Sequence, residues 1–128
     1  MSKKTITALM VEPNKHPEIT QLATDLDSLQ KAVSIGADYQ GLIELISLDE
    51  NTLLLCNEEG KIIGLPGNRC LGRDVIAGVF YVVGNDRHGD LASLTEEQIE
   101  DYKALFWEPE ALSEQDVNHA LFMRFFAL

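Results

Sequence analysis

Residues 53–73 constrain the fold of this 128-residue chain more than any other stretch. They read LLLCNEEGKIIGLPGNRCLGR, with apolar runs at 53–55 and 62–65 on either side of a turn at 57–60. Apolar runs flanking a glycine-containing turn predict a β-hairpin, with the turn glycine in a left-handed conformation. Residues 64–68 disfavour a further regular strand, because proline donates no ladder hydrogen bond and glycine weakens a strand. We therefore expect the chain to leave the sheet here through a polar loop.

Three other segments have the composition of strands. Residues 5–11 (TITALMV) suit a central strand, which the following Glu-Pro-Asn sequence ends before a polar loop to Pro17. Residues 42–48 (LIELISL) predict a strand that turns back through residues 49–51. Residues 74–83 (DVIAGVFYVV) are the most strand-like run, and Gly78 within them indicates a bulge or a close backbone contact.

The first helical pattern follows Thr24 and Asp25, either of which can cap a helix. Its apolar residues Leu26, Leu29 and Val33 recur at helical spacing, and a glycine at position 36 follows its end. The pattern predicts a short helix with these three residues on its buried face.

Two further helical patterns lie near the C-terminus. Thr95 with Gln98 forms a capping box for a helix that buries positions 99, 102 and 106. Ser113 with Asp116 starts another, which is amphipathic through positions 117, 120, 121 and 125. Together the patterns predict a single α+β domain over residues 1–128. Its mainly antiparallel sheet has four to five strands, with one helix after the first strand and two C-terminal helices.

The net charge of −11 is distributed unevenly along the chain. Residues 90–118 carry nine acidic residues against Lys103 alone, whereas residues 51–89 are balanced, with four acidic and four basic groups. An acidic chain argues against direct nucleic-acid binding, because phosphate contacts need clusters of Lys or Arg. No apolar run reaches the length of about 20 residues needed to span a bilayer, and no signal peptide is evident. We therefore expect a cytoplasmic protein without a membrane partner.

Several short motifs resemble a family of small proteins from phages and bacterial mobile elements, catalogued as domain of unknown function 3846. The motifs are Val11-Glu12-Pro13, the run LCNEEGK at 55–61 with GLP at 64–66 and Asn68-Arg69, the run DVIAG at 74–78 with Phe80, and Ser93-Leu94-Thr95 with Gln98, Ile99 and Tyr102. The likeness covers about residues 5–110, and residues 111–128 depart from it. It implies a small accessory protein, in a bacterial host cell, that binds and disables a host component.

The balanced middle of the chain is the best candidate for a ligand site. Free loop amides and arginine forks suit a phosphate or carboxylate, such as a small anionic, nucleotide-derived ligand. In the alternative interpretation, the two asparagines satisfy turn backbone and an arginine pairs with a neighbouring carboxylate at the surface. The residues predicted to line this pocket are Asn57, Lys61, Asn68, Arg69, Arg73 and Asp74.

The acidic segment suggests a second function, that of a DNA mimic or protein inhibitor that blocks a basic host protein. Four acids recur along one face of the helix predicted to follow Thr95 and to end before Pro109, namely Glu96, Glu97, Glu100 and Asp101. The alternative is an ordinary solvated helix face, which keeps a protein soluble.

Metal binding and catalysis have little support in the sequence. Cys56 and Cys70 lie 14 positions apart, and no paired cysteine or histidine spacing accompanies them. His88 lies in a segment with the composition of a turn, so we expect neither an enzyme nor a cofactor. The apolar residues at 121–123 and 125–126 indicate either a homo-oligomer contact through the last helix or a helix packed on the core.

Overall fold

The computed structural model describes residues 4–126, with side chains through residue 120, as an α+β fold. The predicted class is confirmed: the main sheet is antiparallel, one helix follows the early strands, and two lie near the C-terminus. In chain order the elements are β1 (Thr5–Val11), β2 (Glu18–Ala23), α1 (Leu26–Ala32), β3 (Ile43–Asp49), β4 (Thr52–Asn57), β5 (Gly67–Leu71), β6 (Asp74–Ala77), β7 (Phe80–Asn85), β8 (Leu91–Ala92), α2 (Glu96–Leu105) and α3 (Glu114–Phe126).

The main sheet has the strand order β2–β1–β7–β4–β3, and β8 pairs with the end of β7. Strand β7 lies at the centre because its side chains are apolar on both faces and almost all buried. Helix α1 covers one face, where Leu29 and Val33 join the core. Helix α2 covers part of the other face, where Phe106 packs edge-on against Phe80 with ring centroids 5.1 Å apart. The β5–β6 hairpin packs on this second face as well, through Ile76.

Strand β2 was not predicted: the expected polar loop ended at Pro17, and residues 18–23 were assigned to no element. It pairs with β1 from Thr5–Ala23 to Met10–Glu18 at the edge of the sheet. Its only fully buried side chain is that of Leu22, and Ile19 is exposed. An edge strand that buries so little gives a weak alternation signal, which explains why the sequence pattern did not reveal it.

The predicted hairpin around residues 57–60 is wrong. Both edges of β4 are already taken, one by β3 and the other by β7, so residues 62–65 have no edge to pair with. They form turns instead, with Ile63 N–H donating to the Glu59 carbonyl, and Ile62 is 58% exposed. Gly60 is needed for close packing, because a Cβ there would lie 2.6 Å from the Ala77 carbonyl oxygen.

Residues 64–83 also differ from their predicted conformation. Residues 67–71 form strand β5 where a loop was expected, and the predicted long strand at 74–83 is divided into β6 and β7. The division falls at Gly78, whose φ of +84° directs the chain from the hairpin into the main sheet. A Cβ at Gly78 would lie 2.8 Å from Leu65 Cδ1, so the atoms crowding this glycine belong to a side chain and not to the backbone that was expected.

The helix predictions are largely confirmed. Asp25 caps α1 by accepting from Ser28 N–H, although Leu26 is 64% exposed and does not belong to the buried face. The capping box of Thr95 and Gln98 is present at the start of α2. Ser113 and Asp116 exchange the hydrogen bonds that begin α3, whose Val117 and Ala120 pack on the β5–β6 hairpin. The side chains at 121–126, on which the oligomer prediction depends, lie outside the described part.

Candidate functional site

Arg69, the first of the predicted ligand-binding arginines, is buried at the junction of the hairpin, α2 and the loop after β1. Its side chain is 1% exposed and donates from all three nitrogens. Nη2 donates to the Lys15 carbonyl at 2.6 Å, and both Nε and Nη2 donate to the Phe106 carbonyl at 3.0 and 2.9 Å. Nη1 donates to Asn68 Oδ1 at 2.8 Å. Burial lowers the pKa of this guanidinium, and the charge of Glu110 opposes that shift.

The two predicted asparagines are buried and bound to backbone groups. Asn68 Nδ2 donates to the carbonyls of Val11 and Gly78, at 2.7 and 2.9 Å. Asn57 Oδ1 accepts from Glu59 N–H, and its Nδ2 donates to the Val33 carbonyl. Asn57 therefore satisfies turn backbone, as in the alternative interpretation, whereas Asn68 binds the end of β1 and the Gly78 carbonyl.

Lys61 and Asp74 form a partly buried ion pair, with Nζ 2.7 Å from Oδ1. Nζ also donates to the Val75 carbonyl at 3.0 Å. The cavity beside Lys61 and Asn57 has a volume of about 10 Å³, which is too small for more than a single water molecule. The structure therefore does not bring the six predicted residues to one pocket, and their part in ligand binding stays a prediction.

Arg73 is the one of the six predicted residues that lines an open groove between the β5–β6 hairpin and α3. The groove has a volume of about 620 Å³, within the usual range for small-molecule sites. Val75 on the hairpin and Leu112 and Ala120 on the C-terminal segment line its apolar part. Its polar lining includes Arg73 together with three exposed side chains of α3, namely Gln115, Asn118 and His119.

Asp116 lines this groove and Glu110 contacts its Cys70 wall, and both carboxylates accept hydrogen bonds. Asp116 Oδ2 accepts from Ser113 N–H and Oγ–H, and these bonds lower the pKa of its carboxyl group. Glu110 Oε2 accepts from Cys70 N–H at 3.0 Å. Burial first, and then the Glu110 carboxylate, raises the pKa of the Cys70 thiol. The thiol is therefore protonated at neutral pH and adds no negative charge to the groove.

The sequence did not single out the α3 residues of the groove as a site. Gln115, Asn118 and His119 are spaced three and four positions apart, so they share one helix face. That spacing is a usable signal for a common polar face. That face, however, packs beside the hairpin of residues 67–77, which lies far earlier in the chain, and no local pattern connects the two.

The predicted acidic face is present on α2. Glu96, Glu97, Glu100 and Asp101 are exposed, and no basic side chain within residues 4–120 forms an ion pair with them. Just beyond the helix, Trp107 is partly exposed and stacks on His16 with ring centroids 4.1 Å apart. The face is therefore free to meet a cationic surface, next to an exposed aromatic ring.

The described part of the chain contains neither a metal-binding cluster nor a membrane-spanning helix. Residues 4–120 bring together no group of three metal-ligating side chains. No described helix has the length and apolar character required to cross a bilayer.

Comparison with known proteins gives a family but no individual relative. Neither the search of curated proteins nor that of solved structures gives a match. The family model described as "Domain of unknown function (DUF3846)" matches residues 6–107, which include helices α1 and α2 and every described strand, apart from the first residue of β1. Because this match covers most of the chain, the resemblance expected from the short motifs is confirmed, and the chain belongs to the DUF3846 family.

Proposed function

We propose that this protein is a non-catalytic accessory protein of a phage or mobile element that sequesters a small anionic, nucleotide-derived ligand. The observation that carries the proposal is the groove between the β5–β6 hairpin and α3, which holds Arg73 and His119 beside an apolar wall. The family resemblance supports the phage or mobile-element setting. Removing a host signal by binding it would counter a host defence without any chemical step.

Arg73 and His119 would hold the anionic part of the ligand. Arg73 offers a planar fork that matches two phosphate oxygens, and the imidazole of His119 can donate to a third. The amides of Gln115 and Asn118 can hydrogen-bond to the edge of a base or to a ribose. Val75 lies in the apolar wall against which a base or sugar would pack. Arg69 contributes indirectly, by holding the strand that carries the groove.

The proposal is tested by calorimetry and thermal unfolding with a defined set of probes: inorganic phosphate, AMP and a cyclic dinucleotide. A ligand at about 100 times its Kd stabilises the fold by about 2.7 kcal/mol. We expect Arg73→Ala and His119→Ala each to weaken binding of the responding probe, by about tenfold or more. Arg87→Ala is the matched control, because it removes an exposed arginine that does not line the groove. Unchanged affinity in Arg73→Ala would place the ligand elsewhere.

A second candidate function is supported by the acidic face of α2, whose exposed carboxylates lack ion pairs within the described side chains. In this case the protein imitates the phosphate backbone of DNA and blocks a basic host protein. We expect capture of a basic partner from bacterial extract to be lost when salt rises from about 50 mM to about 200 mM. The capture should also be abolished when the four acids are replaced by their amides, at Glu96, Glu97, Glu100 and Asp101. Glu18→Gln, which neutralises an exposed acid on β2, is the control and should leave capture unchanged. Capture that survives both the higher salt and the four replacements would exclude this function.

A further inference from the structure

Strand β3 is an open, apolar edge of the main sheet. It ends the strand order beside β4, and within residues 4–126 no other strand pairs with it. Exposed edges are commonly blocked by lysine or proline, whereas residues 42–49 (LIELISLD) contain neither. Two of their leucines face solvent, since Leu42 is 55% exposed and Leu45 is 52% exposed. A strand of this kind is a template for pairing with one more strand.

The hydrogen bonds of the sheet show which backbone groups of β3 face outward. The Leu42 carbonyl accepts from Glu58 N–H, directly after β4. Inward and outward groups alternate along an antiparallel strand, so Ile43, Leu45 and Ser47 direct their backbone N–H and C=O away from the sheet. No loop of the described chain bonds to these groups, and a bulge interrupts the strand only after Ser47. The edge therefore offers a regular set of donors and acceptors over residues 43–47.

These outward groups match those of a second copy of the same strand. In an antiparallel register with a two-fold axis at Leu45, this residue lies opposite Leu45 of the second copy, and Ile43 lies opposite Ser47. All of these positions direct their backbone groups at one another, so each opposed pair forms two hydrogen bonds. The two copies of Leu45 project from the same face and cover each other, which removes apolar surface that is exposed in the single chain.

The charges of the strand are compatible with self-pairing. Glu44 is the charged residue within 43–47, and in this register it lies opposite Ile46 of the second copy and not opposite an acid. Its carboxylate points inward, towards β4, where Oε1 lies 3.9 Å from Cys56 Sγ. A basic strand of another protein would gain little charge attraction at such an edge, whereas a second copy supplies the matching leucine.

We propose that this protein forms a two-fold symmetric dimer through β3, in which the two main sheets join into one continuous antiparallel sheet. None of the residues that line the groove between the β5–β6 hairpin and α3 belongs to β3. The inference therefore does not depend on the proposed ligand, and the dimer carries two copies of the groove and of the acidic face of α2.

The first test measures the dimer dissociation constant of the full chain by analytical ultracentrifugation. Leu45→Lys removes the leucine contact and places two ammonium groups opposite each other, so we expect the dissociation constant to rise at least about tenfold. Ile19→Lys is the matched control, because Ile19 is 54% exposed on β2, at the other edge of the sheet, and should leave the dimer unchanged. A chain that stays monomeric at about 1 mM would overturn the proposal, as would a dimer that Leu45→Lys leaves intact.

Disulfide cross-linking tests the register and remains decisive if Leu45→Lys does not fold. Both cysteine variants also carry Cys70→Ser, because Cys70 is an exposed thiol. Leu45→Cys places two thiols at opposed positions with Cα atoms about 5.5 Å apart, a separation that a disulfide spans, so mild oxidation should give a covalent dimer. Ser47→Cys is the control: it is exposed, but in this register it faces Ile43, so it should not cross-link. Cross-linking of both variants, or of neither, would overturn the proposal.

Discussion

Arg69 and Arg73 lie four positions apart on the same hairpin, yet their environments are opposite. Arg69 is 1% exposed, and its donors are bound to backbone carbonyls of two distant loops and to Asn68. Arg73 is exposed at the rim of the groove. A guanidinium whose donors are satisfied inside the protein stabilises the fold, whereas one that faces an open groove is available to a ligand. Burial, and not residue type, separates the two roles.

The largest effect on stability is expected from Arg69→Ala. The substitution leaves the carbonyls of Lys15 and Phe106 and the Asn68 side chain without their donor, and each buried acceptor left unsatisfied costs about 1 to 3 kcal/mol. We expect the free energy of unfolding to fall by about 3 to 5 kcal/mol, measured by urea denaturation. Arg73→Ala is the matched control and should change it by no more than about 0.5 kcal/mol. Equal losses in the two variants would remove the distinction between the arginines.

Gly78→Ala tests the backbone that the Asn68 and Arg69 side chains hold in place, and its expected effect on the free energy of unfolding is smaller. Gly78 has a φ of +84°, its carbonyl accepts from Asn68, and a Cβ would lie 2.8 Å from Leu65 Cδ1. A left-handed conformation costs a residue with a side chain about 1 to 2 kcal/mol, and the overlap with Leu65 adds to this cost. We expect a total loss of about 2 to 3 kcal/mol. Gly72→Ala has a similar φ with nothing within 4 Å, so it should show the conformational cost alone.

Tyr102→Phe tests a polar contact that lies nearer to solvent. The Tyr102 hydroxyl donates to Asp49, and burial followed by this contact raises the pKa of Tyr102 to about 12. The hydrogen bond also lowers the pKa of Asp49. Removing it should cost about 1 kcal/mol at neutral pH, because the bond involves a charged acceptor but is not deeply buried.

The pH dependence of the stability that this contact provides follows from the two pKa shifts, those of Tyr102 and Asp49. A raised tyrosine pKa adds stability that is present below pH 10, the usual value, and lost as the pH rises towards about 12. The lowered pKa of Asp49 adds stability that is lost as the pH falls through its folded-state value. Absorbance titration should show a tyrosinate transition near 12 that Tyr102→Phe removes and Tyr39→Phe leaves in place. Burial also raises the pKa of Tyr81, so a transition near 12 that persists when both Tyr102→Phe and Tyr81→Phe are present would contradict the assignment.

The smallest effect on stability is expected at the groove, from Glu110→Gln. Cys70 is exposed and Cys56 is buried, so a maleimide should modify one thiol per chain in the native protein. Burial and the Glu110 carboxylate raise the pKa of Cys70, so its reaction should be slow at neutral pH and accelerate as the pH increases. Glu110→Gln should shift this acceleration to lower pH, with a stability change below about 1 kcal/mol. An unaltered pH profile would show that burial alone accounts for the raised pKa.

Local sequence patterns correctly predicted the elements that depend on neighbouring residues. The opening strand, the Asp25 cap, the capping box of Thr95 and Gln98 and the Ser113–Asp116 start of α3 depend on residues within a few positions of one another. The hairpin prediction at 57–60 was wrong because several strands compete for the same edge of a sheet. Strand β4 pairs with β3 and β7, and the sequence around the turn does not show that both edges of β4 are occupied.

The candidate site shows the same division. The sequence identified the hairpin region as charge-balanced and rich in donors, and Arg73 does lie on the groove. It could not separate Arg73 from Arg69, because the acceptors of Arg69 lie at residues 15 and 106, far away in the chain. The sequence likewise did not reveal the α3 side of the groove, because its residues contact the hairpin only after the helix has packed on Val75 and Ala77.

The amino-acid sequence by itself determined the α+β class, the helix starts, the acidic C-terminal half and the family. Each of these follows from composition, from spacing within one element or from short motifs in order. Only the tertiary structure decided which strand pairs with which, that Arg69 is buried, and that α3 closes a groove with the hairpin. The physical reason is that burial and hydrogen-bond satisfaction depend on contacts between distant segments, which exist only once the chain is folded.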